Sequence, residues 1–165
     1  MQLIKHGAVV DDPWQLVSRE TRVEDLPGQG PLIVPLPLWL EQATMLNTRE
    51  DGVGLWLDSD EAIEDVPAAG LQQLPVIALN FPAFTDGRHY STARLLRERH
   101  GYHGEIRAIG DVLRDQLFFM QRCGFDSFAI RADCNPEAAL AGLADYSTAY
   151  QAAADQPLPL FRRRH

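Results

Sequence analysis

Three short apolar runs, Val76–Leu79, Ile106–Ile109 and Phe125–Ile130, are separated by two stretches of helical pattern. That alternation constrains the fold more than any other feature of the chain. Strands that alternate with helices pair in parallel and connect by right-handed crossovers. In open α/β sheets, ligands bind at the carboxyl ends of the parallel strands. Polar and glycine residues gather where the first two runs end. These are Asn80 with Thr85-Asp86-Gly87-Arg88, and then Gly110-Asp111. The segment therefore has the form of a scaffold that carries a site, without specifying a chemistry.

Two further apolar runs precede it, Leu32–Val34 and Val53–Leu57. Helices are expected from Pro37 through Leu46, over Tyr90–His100, over Val112–Arg122 with Asp111 as its cap, and from Pro136 to about Ala153. Ser59 is placed to cap a short helix from Asp60 to about Asp65. At the start, Leu3–Lys5 and Ala8–Val10 flank His6-Gly7, the pattern of a hairpin. The expected fold is an open, mostly parallel sheet of about five strands with helices on both faces, plus an N-terminal β-hairpin appendage. One domain is expected, with residues 1–30 as the β appendage, 31–155 as the α/β core and 156–165 as a tail. A complete eight-stranded βα barrel typically needs about 250 residues. A barrel-like βα fragment is the alternative.

The net charge is −8, which argues against a nucleic-acid partner, because phosphate binding needs a basic surface. No apolar run approaches the roughly 20 residues that span a bilayer. The start, Met1-Gln2-Leu3-Ile4-Lys5-His6, lacks the pattern of a signal peptide, so a cytoplasmic location is expected. The two cysteines, Cys123 and Cys134, are too few for a four-thiolate cluster and are not spaced as a redox pair. Cys123 fits a small core residue. No phosphate loop or dinucleotide fingerprint is present, and no cofactor can be named.

Thr85, Asp86, Gly87, Arg88 and Asp111 are the candidate ligand-binding residues. Backbone N–H groups and a helix N-terminus at this loop attract an anion, and Arg88 would clamp it. Sulfite, sulfate, phosphate or a carboxylate suits that chemistry. The plainer reading is that Asp86 caps the helix and Gly87 supplies an unusual backbone angle. Asp58, Ser59, Asp60 and Glu61 form an acidic edge, a pattern more often met as caps than as metal ligands. His89, His100 and His103 lack zinc-site spacing, and no metal is expected. On the helix from Asp111 to Cys123, Phe119 falls in a broad apolar arc, while Phe118 falls on the polar stripe. Arg114, Phe118 and Arg122 then form a ladder at i, i+4 and i+8 with the composition of an interface anchor. Gln116 falls inside the apolar arc, where a buried amide needs partners.

Several long motifs resemble one family. They are Phe84-Thr85-Asp86-Gly87-Arg88, Ser91-Thr92-Ala93-Arg94-Leu95-Leu96-Arg97, Gly110-Asp111-Val112-Leu113-Arg114-Asp115-Gln116 and Arg122-Cys123-Gly124-Phe125-Asp126. Gly54-Leu55-Trp56-Leu57-Asp58-Ser59-Asp60 and Pro159-Leu160-Phe161-Arg162-Arg163-Arg164 fit as well. The chain resembles the bacterial "domain of unknown function 934" family, whose members are typically encoded beside sulfite reductase and sulfate-assimilation genes. The resemblance implies a role near sulfite reduction and supplies no catalytic residue. The expected function is an accessory protein of assimilatory sulfite reduction that contacts sulfite reductase. A second copy of the chain is another candidate partner. The alternatives are a small anion-binding protein or oxidoreductase with a site at the strand ends, and a structural subunit without a ligand site. A polar pocket at the strand ends would favour the first alternative; an apolar patch around Phe118 would favour contact.

Overall fold

The computed structural model describes residues 2–144 and 149–163. Eight strands form one sheet: β1 (Gln2–Lys5), β2 (Ala8–Asp11), β3 (Gln15–Leu16), β4 (Leu32–Pro35), β5 (Val53–Leu57), β6 (Val76–Phe81), β7 (Glu105–Gly110) and β8 (Ser127–Phe128). Their order is β2-β1-β8-β7-β6-β5-β4-β3. Strands β3 to β8 pair in parallel, while β1 is antiparallel to both β8 and β2. The sheet is mixed and curled, a half-barrel, as the barrel-like alternative expected.

Chain length forces the curl. β2 and β3 are the two edges of the sheet, yet only Asp12, Pro13 and Trp14 lie between them. Four Cα steps reach about 15 Å at most. Seven strand spacings across a flat sheet would span about 34 Å. The linker therefore crosses the bore of a strongly bent sheet. The hairpin expected as an appendage is continuous with the sheet, because Ile4 and Lys5 pair with Phe128 and Ser127.

The helices are α1 (Leu36–Leu46), α2 (Ala68–Leu71), α3 (Arg88–Glu98), α4 (Leu117–Cys123), α5 (Pro136–Leu140) and α6 (Leu160–Arg163). Helices on both faces were expected, and here the structure differs. Strand order from β4 to β8 follows chain order, so each right-handed crossover returns on the same side. Val34, Leu55, Leu57, Ile77, Leu79, Ile106 and Ala108 pack in the main core with Trp39 of α1, Leu96 of α3 and Met120 of α4. The alternate residues Ile33, Trp56, Val76, Ala78 and Ile109 form a second cluster, which Trp14 and Ala129 join. Trp56 donates its Nε1–H to the carbonyl of Val17 at 2.9 Å, fixing the linker's exit.

Below this cluster the bore holds charge. Arg107 of β7, 3% exposed, donates to Asp12 Oδ2 at 2.7 Å and to Glu105 Oε1 at 2.9 Å. Lys5 and Ser127 also donate to the Glu105 carboxylate, each at 2.5 Å. Burial pushes the Glu105 carboxyl up, but these hydrogen bonds and the Arg107 charge outweigh it and hold it below its ordinary value.

Two expected helices are shorter than their patterns. The segment before α4 opens as a 3-10 turn over Arg114–Gln116. The last expected helix ends at Leu140 and tightens into a 3-10 turn over Ala141–Ala144; residues 145–148 of that expectation lie outside the described residues. Among the described residues, no helix is long and apolar enough to cross a membrane.

Candidate functional site

The carboxyl ends of β5, β6 and β7 gather the sequence-predicted residues, and ion pairs interlock them. Asp58 follows β5. Its Oδ1 accepts from Asn80 Nδ2 at 3.0 Å and from the Ser59 N–H at 2.8 Å. Its Oδ2 accepts from Arg19 at 3.1 Å, and Arg19 also donates to Glu61 at 2.8 Å. Partial burial raises the Asp58 carboxyl, but the bonds from Asn80, Ser59 and Arg19 bring it below its ordinary value.

Arg88 opens α3, beside this group. Its guanidinium donates to both oxygens of Asp86, at 3.0 and 2.6 Å, and to Ser59 Oγ at 2.9 Å. The Arg88 fork holds the Asp86 carboxyl far below its usual range. Asp86 also accepts from the Arg88 N–H at 3.2 Å, the local turn that starts the helix. Ser59 caps no helix: the turn at Ile63–Asp65 begins after Ala62. Thr85 is exposed. Gly87 has φ −95°, an angle open to any residue, so the unusual backbone expected there is absent.

The glycine that geometry requires is Gly110. Its φ is +90°, and a Cβ there would lie 2.4 Å from the Phe81 carbonyl oxygen. The sharp exit from β7 aims Asp111 back at the neighbouring loop. Asp111 does not cap a helix. Its carboxylate accepts from the Phe84 N–H at 2.9 Å and from Arg131 at 2.9 Å. Arg131 makes two further bonds to Asp133, at 2.6 and 2.9 Å. Gln116 completes the tie, accepting from the Leu113 N–H at 3.1 Å and donating to the Phe84 carbonyl at 3.0 Å. Asp86 and Arg88 thus face the β5 side of the loop, and Asp111 faces the β8 side.

Sequence reasoning did not assign roles to Arg19, Arg131 or His89. His89 is 1% exposed, beneath the loop, with Nδ1 3.3 Å from Thr92 Oγ1 and its ring edge-on to Phe81. Its Nε2 makes no hydrogen bond of good geometry. Burial lowers its pKa, against the opposing pull of the Leu57 and Asp58 carbonyls. Only its position one residue past Arg88 on an amphipathic helix would have marked it as core.

Chemically, these loops are closed on themselves. Asp58, Asp60, Glu61 and Asp86 outnumber Arg19 and Arg88, a setting that repels anions. An incoming anion would have to displace Asp86 from the Arg88 fork. Among the described residues, no group of three or more His, Cys, Asp or Glu is arranged to hold a metal ion.

The interface candidates lie on the outer helical layer. Phe118 is half-buried, whereas Phe119, placed in the apolar arc by sequence, is 56% exposed. Leu117, Met120 and Cys123, all members of the expected apolar arc, take the buried stripe. Phe119 lies at the margin of that stripe and is left open, while Phe118, on the far side of the helix, lines a groove with residues 149–153. Burial pushes the Cys123 thiol up, as suits a core residue. Arg114 sits in the 3-10 turn and not on α4. Arg122 is drawn into its own chain, donating to Asp155 at 2.8 Å and to the Gln151 carbonyl. The three residues of the expected ladder thus lie on two elements, Arg114 in the 3-10 turn and Phe118 and Arg122 on α4. Phe118, Phe119, Cys123 and residues 149–153 line a groove of about 350 Å³, with Arg94 and Arg122 at its sides. Tyr150 on the opposite wall is 67% exposed, and Phe119 packs against Tyr90 with ring centres 5.0 Å apart.

Fold and site together define a curled α/β half-barrel whose strand-end loops are locked by ion pairs and whose outer helices carry an aromatic groove. The chain belongs to the family described as bacterial protein of unknown function, DUF934, which matches residues 54–161. Comparison with curated proteins and with solved structures gives no match.

Proposed function

We propose that this protein is an accessory factor of assimilatory sulfite reduction that acts by contact with sulfite reductase through the α4 face. The observation that carries the contact is the groove beside Phe119, where two large aromatic side chains stand open to solvent on opposite walls. Exposed aromatics around an apolar groove have the composition of binding anchors. The choice of sulfite reductase comes from the family resemblance. The interlocked loops at the strand ends weigh against the anion-binding alternative, because Arg88 already holds a carboxylate with both arms of its fork.

Sedimentation velocity of the protein alone, and mixed with purified sulfite reductase, tests this. A complex is expected at micromolar concentration. Phe119→Ala removes a central anchor, so binding should weaken by about 2 kcal/mol, roughly thirtyfold. Absence of a complex, or equal affinity for the variant, refutes the proposal. Association of the protein only with itself would transfer the face to a homodimer.

A further inference from the structure

The groove sits in a molecule of uneven charge. Thirteen of the 23 acidic residues but only three of the 15 basic residues lie between residues 11 and 65. That stretch carries −10, and the rest of the chain +2. The aromatic groove belongs wholly to the second part. The α6 turn is fastened to its wall: the Leu160 N–H donates to the Tyr150 carbonyl at 3.0 Å, and Arg163 donates to the Ala149 carbonyl at 2.6 Å. Arg162 lies over the Phe161 ring on that turn. Arg94 and Arg122 thus line the groove, and Arg162 and Arg163 lie on the turn fastened to its wall. Their acidic neighbours are Glu98, paired with Arg94, and Asp155, paired with Arg122. Among the described residues this rim has two more bases than acids, on a chain of net charge −8.

We infer that the groove receives an acidic segment of a partner protein that carries one large apolar anchor residue. A space of about 350 Å³ admits one or two bulky side chains, not a folded surface. The aromatic walls take the anchor, and the exposed Arg94 and Arg162 take the flanking carboxylates, while Arg122 stays with Asp155 and Gln151. The acidic stretch of residues 11–65 repels the same segment, so the field favours its approach to this face. This deepens the docking proposal above and rests on its choice of face, but not on the identity of the partner.

The probe is an unbiased phage library of random dodecapeptides panned on the immobilised full chain. The best-enriched peptide is then synthesised with a fluorophore and measured by anisotropy. Enriched sequences should combine a net negative charge with Trp, Phe or Leu. Binding should weaken at least tenfold in Phe119→Ala and in Tyr150→Ala, and severalfold between about 50 and 300 mM salt. Tyr150 is so exposed that its truncation leaves the fold unchanged, which circular dichroism checks. Peptides without acidic bias, or with equal affinity for both variants, overturn the inference. Self-association that blocks panning and is weakened when Glu41→Gln and Glu64→Gln remove two charges from the acidic stretch also overturns it, since the occupant is then a second copy. Acidic peptides that bind while sulfite reductase does not co-sediment support the inference and remove the reductase from it. A reductase complex that depends on Tyr150 but is not displaced by the peptide keeps the reductase and overturns the acidic-segment inference.

Discussion

Truncating Asp12 to alanine should cost this protein about 3 kcal/mol of stability. Asp12 is one of three residues that carry the chain from one sheet edge to the other, and its carboxylate is 6% exposed. It accepts from Arg107 at 2.7 Å and from the Trp14 N–H at 3.2 Å. Removing one partner of a buried ion pair typically costs about 3–5 kcal/mol, because the other charge stays buried. Arg107 keeps Glu105, so the low end of that range applies. Loss of the Trp14 bond loosens the indole that helps fill the bore. With a urea slope of about 2.5 kcal/mol per molar, the midpoint should fall by about 1.2 M. Lys5→Ala is the control: its amine touches the same network but is one-third exposed, so the loss should stay below about 1 kcal/mol. Equilibrium urea unfolding followed by tryptophan fluorescence measures both. A loss below about 1 kcal/mol for Asp12→Ala, or equal losses for the two variants, refutes the assignment of Asp12 as the latch of the curled sheet.

Gly110→Ala should destabilise by roughly 2–4 kcal/mol, from the left-handed backbone angle and the contact with the Phe81 carbonyl, and a thermal midpoint unchanged from wild type would contradict it. Stability should fall with acid in two limbs. His89 has a lowered folded pKa, so its contribution is full above about 6.5 and declines as pH drops below that value. Glu105 has a lowered folded pKa too, so its share is full above about 4.5 and is lost as pH falls further. Each limb has a slope of at most about 1.4 kcal/mol per pH unit. Urea midpoints from about pH 7 to about pH 3 test this, with His89→Gln expected to flatten the first limb and Glu105→Gln the second.

The sheet is legible in the sequence where burial is complete. Val53–Leu57 and Val76–Leu79 are apolar on both faces, because one face meets the helices and the other meets the tryptophans of the bore. The curl is not legible, since it depends on which edges the short linker joins, a long-range fact with no local pattern. Asp86, Arg88 and Asp111 can be placed at one sheet edge from their position after strands. Their pairing with Ser59 and with Arg131 cannot, because those partners come from loops 20 to 29 residues away. Uniform α-helical phase across Arg114–Gln116 puts Phe118 on the polar stripe and Phe119 in the apolar arc. The buried stripe narrows to Leu117, Met120 and Cys123, leaving Phe119 open at its margin, and residues 149–153 return beside Phe118, a long-range contact with no local pattern.

Topology also bears on where binding can occur. In a doubly wound sheet the chain reverses direction midway, and a crevice opens at the reversal. Here β4 to β8 run in unbroken order, so no reversal splits the loops apart. The bore that a wider barrel would offer is occupied by Trp14, Trp56 and the Asp12–Arg107–Glu105 chain. Loops at the strand ends are tied pairwise across the sheet, from Arg19 to Asp58, Arg88 to Ser59 and Arg131 to Asp111. Opening them for a ligand would break several charge-assisted bonds at once. The outer layer bears no such constraint. There α4 has only seven residues and buries a narrow stripe, and the chain that returns over Ala149–Ala153 leaves a gap beside it. A short helix with two adjacent phenylalanines cannot hide both against one sheet, which is why Phe119 remains open at the groove.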